Sequence, residues 1–431
     1  MSTVAVLGAQ WGDEGKGKVV DRFAQHAEMV IRFQGGNNAG HTVINDQGAF
    51  ALHLAPSGIF NPDVTNILGP GTVINPAALL EELHELRTRA NLSFDSFWIA
   101  ERAHAVMPYH VALDAAEEAQ RGDLAQGTTL RGIGPTYADK AARSGVRMGD
   151  LLDADYLHEW LPAILEPKNR LLENGYGVAP QDPQALIDQA LEWGDALAPH
   201  IVDTLPIVGE ALADDRRILL EGQLGVMRDL DWGHYPYVTS SSPSAGGACV
   251  GAGIPPRELD QVWGVAKAFS SSVGEGPFPT ELLDATGDHL REVAGGEYGA
   301  STGRPRRCGW FDAVAVRTAA ALSGIDCLAL TKIDALDGLE RIRVAVAYEL
   351  DGKRTDLAPD TRKFDRARPI YEEFPGWLTS TEGVSDLDDL PPNARSYIEA
   401  ISQITGIPIG LIGTGRHRDA AIILKDPFAT T

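Results

Sequence analysis

A glycine-rich loop at residues 8–18 constrains the fold of this chain more than any other feature. An apolar, strand-like segment at residues 3–7 runs directly into the loop, and Lys16 and Lys18 begin a helical pattern. Glycines allow backbone N–H groups to turn toward a phosphate, and a helix N-terminus adds a favourable dipole. The sequence therefore predicts a strand, a phosphate-binding turn and a helix, in that order.

The spacing inside this loop differs from that of a standard P-loop. More residues separate Gly8 from the Gly15-Lys16 pair, and the additional positions hold Asp13 and Glu14. An acidic side chain in a phosphate loop is costly unless it binds a metal or takes part in proton transfer. Asp13 is therefore a candidate catalytic residue, and Lys16 is a candidate ligand of phosphate oxygens. The alternative is an ordinary glycine-rich turn.

Apolar strand-like runs alternate with helical patterns along the rest of the chain. Further strands are predicted at residues 29–33, 217–220, 262–265 and 327–330, and helices at residues 75–86, 183–198 and 315–322. This alternation predicts an α/β fold with a mainly parallel sheet. The polar stretches 167–184 and 350–365 are interpreted as loose surface insertions. No repeat or linker is evident, so residues 1–431 are predicted to form a single domain with insertions near 150–200 and 340–395.

Composition limits the partners and the compartment. A formal net charge of −23 repels phosphate backbones, which argues against a nucleic-acid partner. No apolar run reaches the roughly 18 residues of a membrane span. The three cysteines are widely spaced without a CxxC pair, and the N-terminus carries no signal-peptide pattern. We therefore expect a cytoplasmic protein without disulfides or a structural zinc site.

A second nucleotide-binding signal follows the apolar run 327–330. Lys332 and Asp334 lie in the sequence Thr-Lys-Ile-Asp at residues 331–334. An aspartate at the end of a strand can accept hydrogen bonds from N1–H and the 2-amino group of guanine, and adenine has neither donor. The alternative is a surface salt bridge, but the phosphate loop favours a guanine site.

Three further segments carry polar groups suited to substrates. His41 ends the loop at residues 34–42 and can act as a general acid toward a phosphoryl group, or it can cap the loop backbone. Residues 127–135 combine hydroxyls, glycines and Arg131, which favours an anion-binding nest. Residues 299–307 hold three arginines beside hydroxyls, a pattern that suits a dicarboxylate or a phosphate, or a solvated basic face.

Together these segments resemble the adenylosuccinate synthetase family over nearly the whole chain. The most specific pair is WGDEGKGK at residues 11–18 with QGGNNAGHT at residues 34–42. The resemblance implies a large, mostly parallel central sheet flanked by helices, with smaller inserted subdomains. It also implies that GTP, IMP and L-aspartate give adenylosuccinate, GDP and phosphate through 6-phosphoryl-IMP, with Mg²⁺ as cofactor. This reaction is the first committed step of AMP synthesis.

The resemblance also implies roles for individual residues. The catalytic residues are Asp13 as base, His41 as acid, and Lys16; Asp13 and the main chain of Gly40 bind the metal. GTP is bound by Gly12, Glu14, Gly15, Lys16, Gly17, Lys332, Asp334, Gly413, Thr414 and Gly415. IMP is bound by Asp13, Asn38, Thr129, Arg143, Gln223, Leu224, Thr239 and Arg304. Aspartate is bound by Ser301, Thr302, Arg304 and Arg306. Arg143 reaches the neighbouring active site, which implies a homodimer.

The chain departs from the family pattern at four places. The family usually places Gln, which contacts the base of IMP, at the position of Leu224, and here Gln223 precedes it. Ser271-Ser272 replaces a Thr-Arg pair, which removes a charge from the loop that follows. Leu130 replaces a glycine, and Gly413 replaces a common serine.

Two alternative functions remain open. Relatives that act on dGMP usually replace the base aspartate, often by serine, so Asp13 favours IMP while Leu224 favours the alternative. A GTP-binding module without ligase activity is the second alternative. It would not need an aspartate site, so the arginine loop argues against it.

Overall fold

The computed structural model describes residues 2–38, 40–293, 296–299 and 303–429. The strands are β1 Ser2–Gly8, β2 Met29–Arg32, β3 His41–Asn45, β4 Gly48–Leu52, β5 Thr65–Leu68, β6 Val73–Ile74, β7 Phe97–Ala100, β8 His104–Ala105, β9 Ile201–Val202, β10 Arg217–Gly225, β11 Gln261–Lys267, β12 Ser270–Ser272, β13 Arg307–Gly309, β14 Phe311–Asp312, β15 Cys327–Thr331, β16 Arg341–Leu350, β17 Lys353–Thr355, β18 Arg368–Pro375, β19 Ile409–Gly413 and β20 Ala421–Ile423.

The α-helices cover the predicted helical patterns and several further segments. They are α1 Lys16–Phe23, α2 Pro76–Ala90, α3 Pro108–Arg121, α4 Ile133–Ala142, α5 Ala154–Arg170, α6 Pro183–Leu197, α7 Thr204–Ala213, α8 Ala245–Ala252, α9 Ala285–Glu292, α10 Ala313–Ser323, α11 Thr361–Phe364 and α12 Pro392–Thr405. As predicted, Asn75 caps α2 by accepting a hydrogen bond from the backbone N–H of Ala78, with Pro76 at the first helical position.

A ten-stranded sheet forms the centre of the protein, in the order β20-β19-β15-β11-β1-β10-β2-β5-β7-β9. Every neighbouring pair is parallel except β19 and β20. Residues Val4 to Leu7 of β1 have no exposed surface, as expected for a parallel strand covered on both faces. The predicted large, mostly parallel sheet with flanking helices is confirmed.

The strand β1 lies between β10 and β11 in this sheet. The chain runs from β1 through α1 to β2, which lies on the β10 side of β1, whereas β11 and β15 continue the sheet on the other side. Ligands of open α/β sheets bind beyond the carboxyl ends of the strands where the strand order changes direction. This topology places the phosphate loop, which directly follows β1, at such a position.

The two predicted insertions contain regular structure. Helix α5 continues through Pro167 to Arg170, so the prediction of a loose segment from residue 167 was wrong at its start. Leu157, Leu161 and Leu165 recur every fourth residue and are fully buried, and this packing maintains the helix across the proline. In the second insertion, β16 pairs with β17 and β18 in a small antiparallel sheet. The single-domain assignment remains a prediction.

Two further features of the described residues concern membrane insertion and disulfide bonds. No described helix has the length and apolar character that crossing a membrane requires. The three thiols, of Cys249, Cys308 and Cys327, are free and buried.

Candidate functional site

A cavity of about 650 Å³ lies beyond the carboxyl ends of β1, β10 and β15. It gathers most of the site residues predicted from sequence. Those that line it are Asp13, Gly15, Lys16, Gly17, Asn38, Gly40, His41, Thr129, Gln223, Leu224, Thr239, Arg304, Arg306, Lys332, Asp334 and Gly415. Gly12, Glu14, Arg143, Gly413 and Thr414 are not among its lining residues. Ser301 and Thr302 lie outside the described residues.

The buried carboxylate of Glu14 stabilises the phosphate loop. The Glu14 side chain has no exposed surface and accepts hydrogen bonds from the backbone N–H groups of Gly12 at 2.8 Å and Gln10 at 3.1 Å. Its second oxygen accepts from Lys16 Nζ at 2.5 Å. Gly8 packs so tightly against this carboxylate that an added Cβ would lie 2.7 Å from both of its oxygens. Glu14 therefore shapes the loop, while Lys16 faces the cavity.

Asp13 has a different environment from its neighbour Glu14. Its backbone adopts a left-handed conformation with φ of 59°, and its side chain is 28% exposed toward the cavity. Oδ2 of Asp13 lies 3.1 Å from Nε of Arg306, within ion-pair distance. The structure thus places an accessible carboxylate beside a guanidinium at the position where the sequence predicts proton transfer.

A buried glutamate connects the basic groups on this side of the cavity. The carboxylate of Glu297 accepts hydrogen bonds from Lys267 Nζ at 2.5 Å, from Arg306 at 2.8 Å and from Lys332 Nζ. Burial raises the pKa of Glu297, but the three cations outweigh this effect and hold it well below its usual range. Glu297 was not singled out from the sequence, because Lys267 and Lys332 are 30 and 35 positions away and nothing beside Glu297 indicates that they meet it.

His41 is oriented by a second buried glutamate. The imidazole Nδ1 lies 2.5 Å from Oε1 of Glu221. Oε1 also accepts a hydrogen bond from the hydroxyl of Ser57, and Oε2 accepts one from the backbone N–H of Ser57, both at 2.7 Å. Burial lowers the pKa of His41, and the neighbouring carboxylate opposes that shift. Burial raises the pKa of Glu221, but the contacts with His41 outweigh it and keep the carboxylate ionised. A glutamate within the apolar strand β10 is the signal that sequence reading missed.

The predicted guanine site contains an unpartnered carboxylate oxygen. Asp334 lies in a short 3₁₀ turn after β15, and its buried Oδ1 has no hydrogen-bond partner among the described residues. Burial raises the pKa of this carboxylate. Lys18 Nζ donates to the carbonyl oxygens of Gly415 and Ala420 at 2.6 Å, and this fixes the loop after β19 beside the same part of the cavity. An acceptor without a donor suits a ligand that carries N–H groups.

The unusual Gln223-Leu224 pair also lines the cavity. The amide of Gln223 is occupied by the protein, because its oxygen accepts from Arg32 at 2.7 Å and its nitrogen donates to Asn38 at 2.5 Å. Leu224 has a left-handed backbone with φ of 58° and is partly exposed to the cavity. The apolar Leu224 side chain therefore contributes to the cavity wall at the position where the family usually carries an amide.

Comparison with known proteins shows the family of this chain. The family model described as adenylosuccinate synthetase matches residues 5–422. An adenylosuccinate synthetase of Thermosynechococcus vestitus is 52% identical over 429 residues, covering 99% of this chain and 96% of the relative. Its counterpart in Prochlorococcus marinus strain MIT 9313 is 50% identical over 429 residues, with coverage of 99% and 98%.

Two solved structures are also similar. The fully ligated adenylosuccinate synthetase of Plasmodium falciparum has a TM-score of 0.93 and 35% identity, and the match covers 99% of this chain and 100% of the other. The succinoaminodeoxyadenylate synthetase of cyanophage S-2L, solved with dGMP and dATP, has a TM-score of 0.61 and 19% identity, with coverage of 99% and 96%. At that identity the second similarity shows a shared fold alone.

Proposed function

This chain belongs to the adenylosuccinate synthetase family, and from that premise we infer that it is a GTP-dependent ligase joining L-aspartate to IMP. The products are adenylosuccinate, GDP and phosphate, and the reaction is the first committed step of AMP synthesis. One observation carries the assignment of this chemistry to the cavity. Asp13, His41 and Asp334 all line the same space, and the buried Oδ1 of Asp334 has no hydrogen-bond partner among the described residues.

In the proposed first step, Asp13 takes the proton from N1 of IMP. The oxyanion that forms at the 6-position attacks the γ-phosphate of GTP, which gives 6-phosphoryl-IMP and GDP. His41, held by Glu221, donates a hydrogen bond to the transferring phosphoryl group. Lys16 lies at the start of α1, where it and the helix N-terminus stabilise the phosphate charge.

In the proposed second step, the amine of L-aspartate attacks C6 and the phosphate leaves with the former 6-oxygen. Phosphorylation is needed because an oxide is a poor leaving group, whereas phosphate is a good one. Arg304 and Arg306 line the cavity and can pair with the two carboxylates of the amino acid. Ser301 and Thr302, which are predicted to bind aspartate, are assigned to the same proposed aspartate site.

We further propose that Mg²⁺ is the cofactor. The carboxylate of Asp13 and the main chain of Gly40 line one cavity, and such oxygen ligands together with substrate phosphates suit a hard cation. When bound there, the ion would neutralise charge on the phosphoryl oxygens. Nε of Arg306 lies 3.1 Å from Oδ2 of Asp13 and adds a second positive charge beside this carboxylate.

The homodimer remains a proposal, and the position of Arg143 supports it. Arg143 follows α4 in a left-handed conformation with φ of 64°, its side chain is exposed, and it does not line the cavity of its own chain. We propose that it completes the IMP site of a second copy. The cytoplasm is the proposed location, since the three cysteines are free thiols and the substrates are nucleotides.

The choice of purine substrate is tested by comparing nucleotides at fixed GTP and aspartate. We expect purified protein to form product from IMP, with one GDP and one phosphate released for each adenylosuccinate detected by absorbance. Product from dGMP but not from IMP would contradict the assignment and favour the dGMP-type alternative, for which Leu224 is the supporting feature. Steady phosphate release with GTP alone would instead favour a GTP-binding module.

A further inference from the structure

Arg228 is a buried cation beside the cavity whose hydrogen bonds all go to uncharged groups. It lies directly after β10, lines the cavity and is 9% exposed. One terminal nitrogen donates to the carbonyl of Tyr237 at 2.5 Å and to that of Glu275 at 3.3 Å. The other donates to the hydroxyl of Ser272 at 2.6 Å and to the carbonyl of Val273 at 2.9 Å. The forked guanidinium thus joins two segments that are distant in sequence.

The main chain of Arg228 extends this connection to a predicted IMP contact. Its carbonyl accepts a hydrogen bond from the backbone N–H of Thr239 at 2.9 Å. Thr239 and Val273 both line the cavity. Arg228 therefore forms hydrogen bonds with both Thr239 and Val273, two residues of the cavity wall.

The segment that Arg228 holds, residues 272–275, also touches the predicted anion nest. A Cβ added to Gly274 would lie 3.6 Å from the carbonyl oxygen of Gln126, so the two loops are in close contact. Arg304 in turn donates to the carbonyl of Gly127 at 3.0 Å. Displacement of segment 272–275 would consequently disturb the nest and the arginine that it supports.

Among the described residues no carboxylate accepts a hydrogen bond from Arg228, although the charge of Asp13 acts on it. Burial of a guanidinium without such a hydrogen-bonded carboxylate is costly and is offset by hydrogen bonds to uncharged groups. Burial lowers the pKa of Arg228 to about 10, so it remains charged at neutral pH. The segment Ser272-Val273-Gly274-Glu275 carries no positive charge of its own. Arg228 supplies a charge to the same segment from the end of β10.

We propose that Arg228 is a positioning residue that holds segment 272–275 against Thr239 and so sets the IMP-side wall of the cavity before the substrate binds. The proposal rests on the assignment of that wall to IMP. If the segment were ordered only part of the time, the apparent affinity for IMP would fall by the fraction of molecules in the competent state. GTP is assigned to the region of Asp334, to which Arg228 donates no hydrogen bond, so GTP binding should be affected much less.

Three variants test the proposal. Arg228→Leu removes the donors, Arg228→Lys keeps the charge without the fork, and Arg354→Leu is a control that removes an exposed arginine far along the chain. Hydrogen exchange of the substrate-free proteins should be faster at residues 272–276 in Arg228→Leu, with β1 unchanged. The KM for IMP should rise about tenfold or more, while kcat and the KM for GTP change less than about threefold. Arg228→Lys should lie between Leu and the wild type, and the control should match the wild type.

Unchanged exchange at residues 272–276 in Arg228→Leu would overturn the proposal even if activity were lost. An equal rise of KM for all three substrates together with faster exchange throughout β1 would also overturn it, since that pattern describes a general loss of stability. Wild-type behaviour of Arg228→Lys in both measurements would show that a point charge suffices and would refute the role of the fork. The exchange measurement uses no substrate. It therefore still tests whether Arg228 positions segment 272–275 if the protein proves not to act on IMP.

Discussion

Nδ1 of His41 lies 2.5 Å from Oε1 of Glu221, and this carboxylate is completely buried in the middle of the central strand β10. The contact sets the orientation of the imidazole, because the ionised carboxylate accepts a hydrogen bond from Nδ1–H. The second ring nitrogen, Nε2, is then the one left for a substrate. A proton on Nε2 requires the imidazolium form, which Glu221 stabilises.

Glu221→Gln should lower kcat by about a hundredfold, because the amide cannot stabilise an imidazolium. The KM for GTP should change only slightly, since the shape of the site is conserved. Ser57→Ala is the matched control: it removes the hydroxyl hydrogen bond to Glu221 but retains the charge, and it should reduce kcat by less than about tenfold. A normal kcat for folded Glu221→Gln would contradict the proposed role of the pair.

Asp334 should determine the choice of guanine. Asp334→Asn places an amide N–H toward the N–H donors of the base, so the KM for GTP should rise by about 30-fold or more. Xanthosine triphosphate carries a 2-oxo group that can accept from the new amide, and it should become a better substrate than GTP. Initial rates with both nucleotides test this, and an unchanged preference for GTP would exclude Asp334 as the reader of the base.

The proposed dimer predicts complementation between two inactive variants. Asp13→Ala lacks the base, and Arg143→Leu lacks the arginine that we assign to the neighbouring site. Random exchange of subunits would make half of the dimers mixed, each with one intact site, so about one quarter of the wild-type activity should return. Rates are measured after co-incubation at equal concentrations. If the mixture remains as inactive as its components, each active site is built from a single chain.

The free energy of unfolding should decrease below about pH 6.5 because of His234. Trp11 Nε1 donates to Nδ1 of this buried histidine at 3.2 Å, and burial lowers its pKa to about 3. The unfolded chain, with a histidine pKa of about 6.5, therefore binds more protons between these values. The contribution is complete above about pH 6.5 and is lost as the pH falls toward 3, by at most about 1.4 kcal/mol per pH unit.

Urea unfolding at pH 7, 6 and 5 checks this pH dependence. His234→Gln retains an acceptor for Trp11 but cannot be protonated, so its free energy of unfolding should decline less steeply than that of the wild type. If the free energies of unfolding of the two proteins decline equally from pH 7 to pH 5, His234 is not responsible for the pH dependence.

Local patterns were sufficient to predict the elements that carry the site. The glycines before Lys16 and the apolar run before Lys332 each determine a strand and the turn after it, because the signal lies in adjacent residues. Contacts between distant residues could not be predicted in this way. Glu221 and His41 are 180 positions apart, and Arg228 and Ser272 are 44 positions apart. In neither pair does the sequence around one residue indicate the other residue as its partner.

The helix that continues through Pro167 shows how a local signal can give a wrong prediction. The polar composition of residues 167–184 led to the prediction of a loose segment, and a proline at its start is a further local signal against a helix. The buried leucines of α5 outweighed that signal, because their contacts are made with a core formed by other parts of the chain. Tertiary packing, which a single sequence does not display, determined where the helix ends.

The transfer of the 6-oxygen of IMP tests the central claim most directly. IMP labelled with ¹⁸O at the 6-position is incubated with the enzyme, GTP and L-aspartate, and the released phosphate is analysed by mass spectrometry. The account predicts one ¹⁸O atom in each phosphate formed with adenylosuccinate, because the oxygen leaves on the phosphoryl group. Adenylosuccinate formed together with unlabelled phosphate would contradict the account.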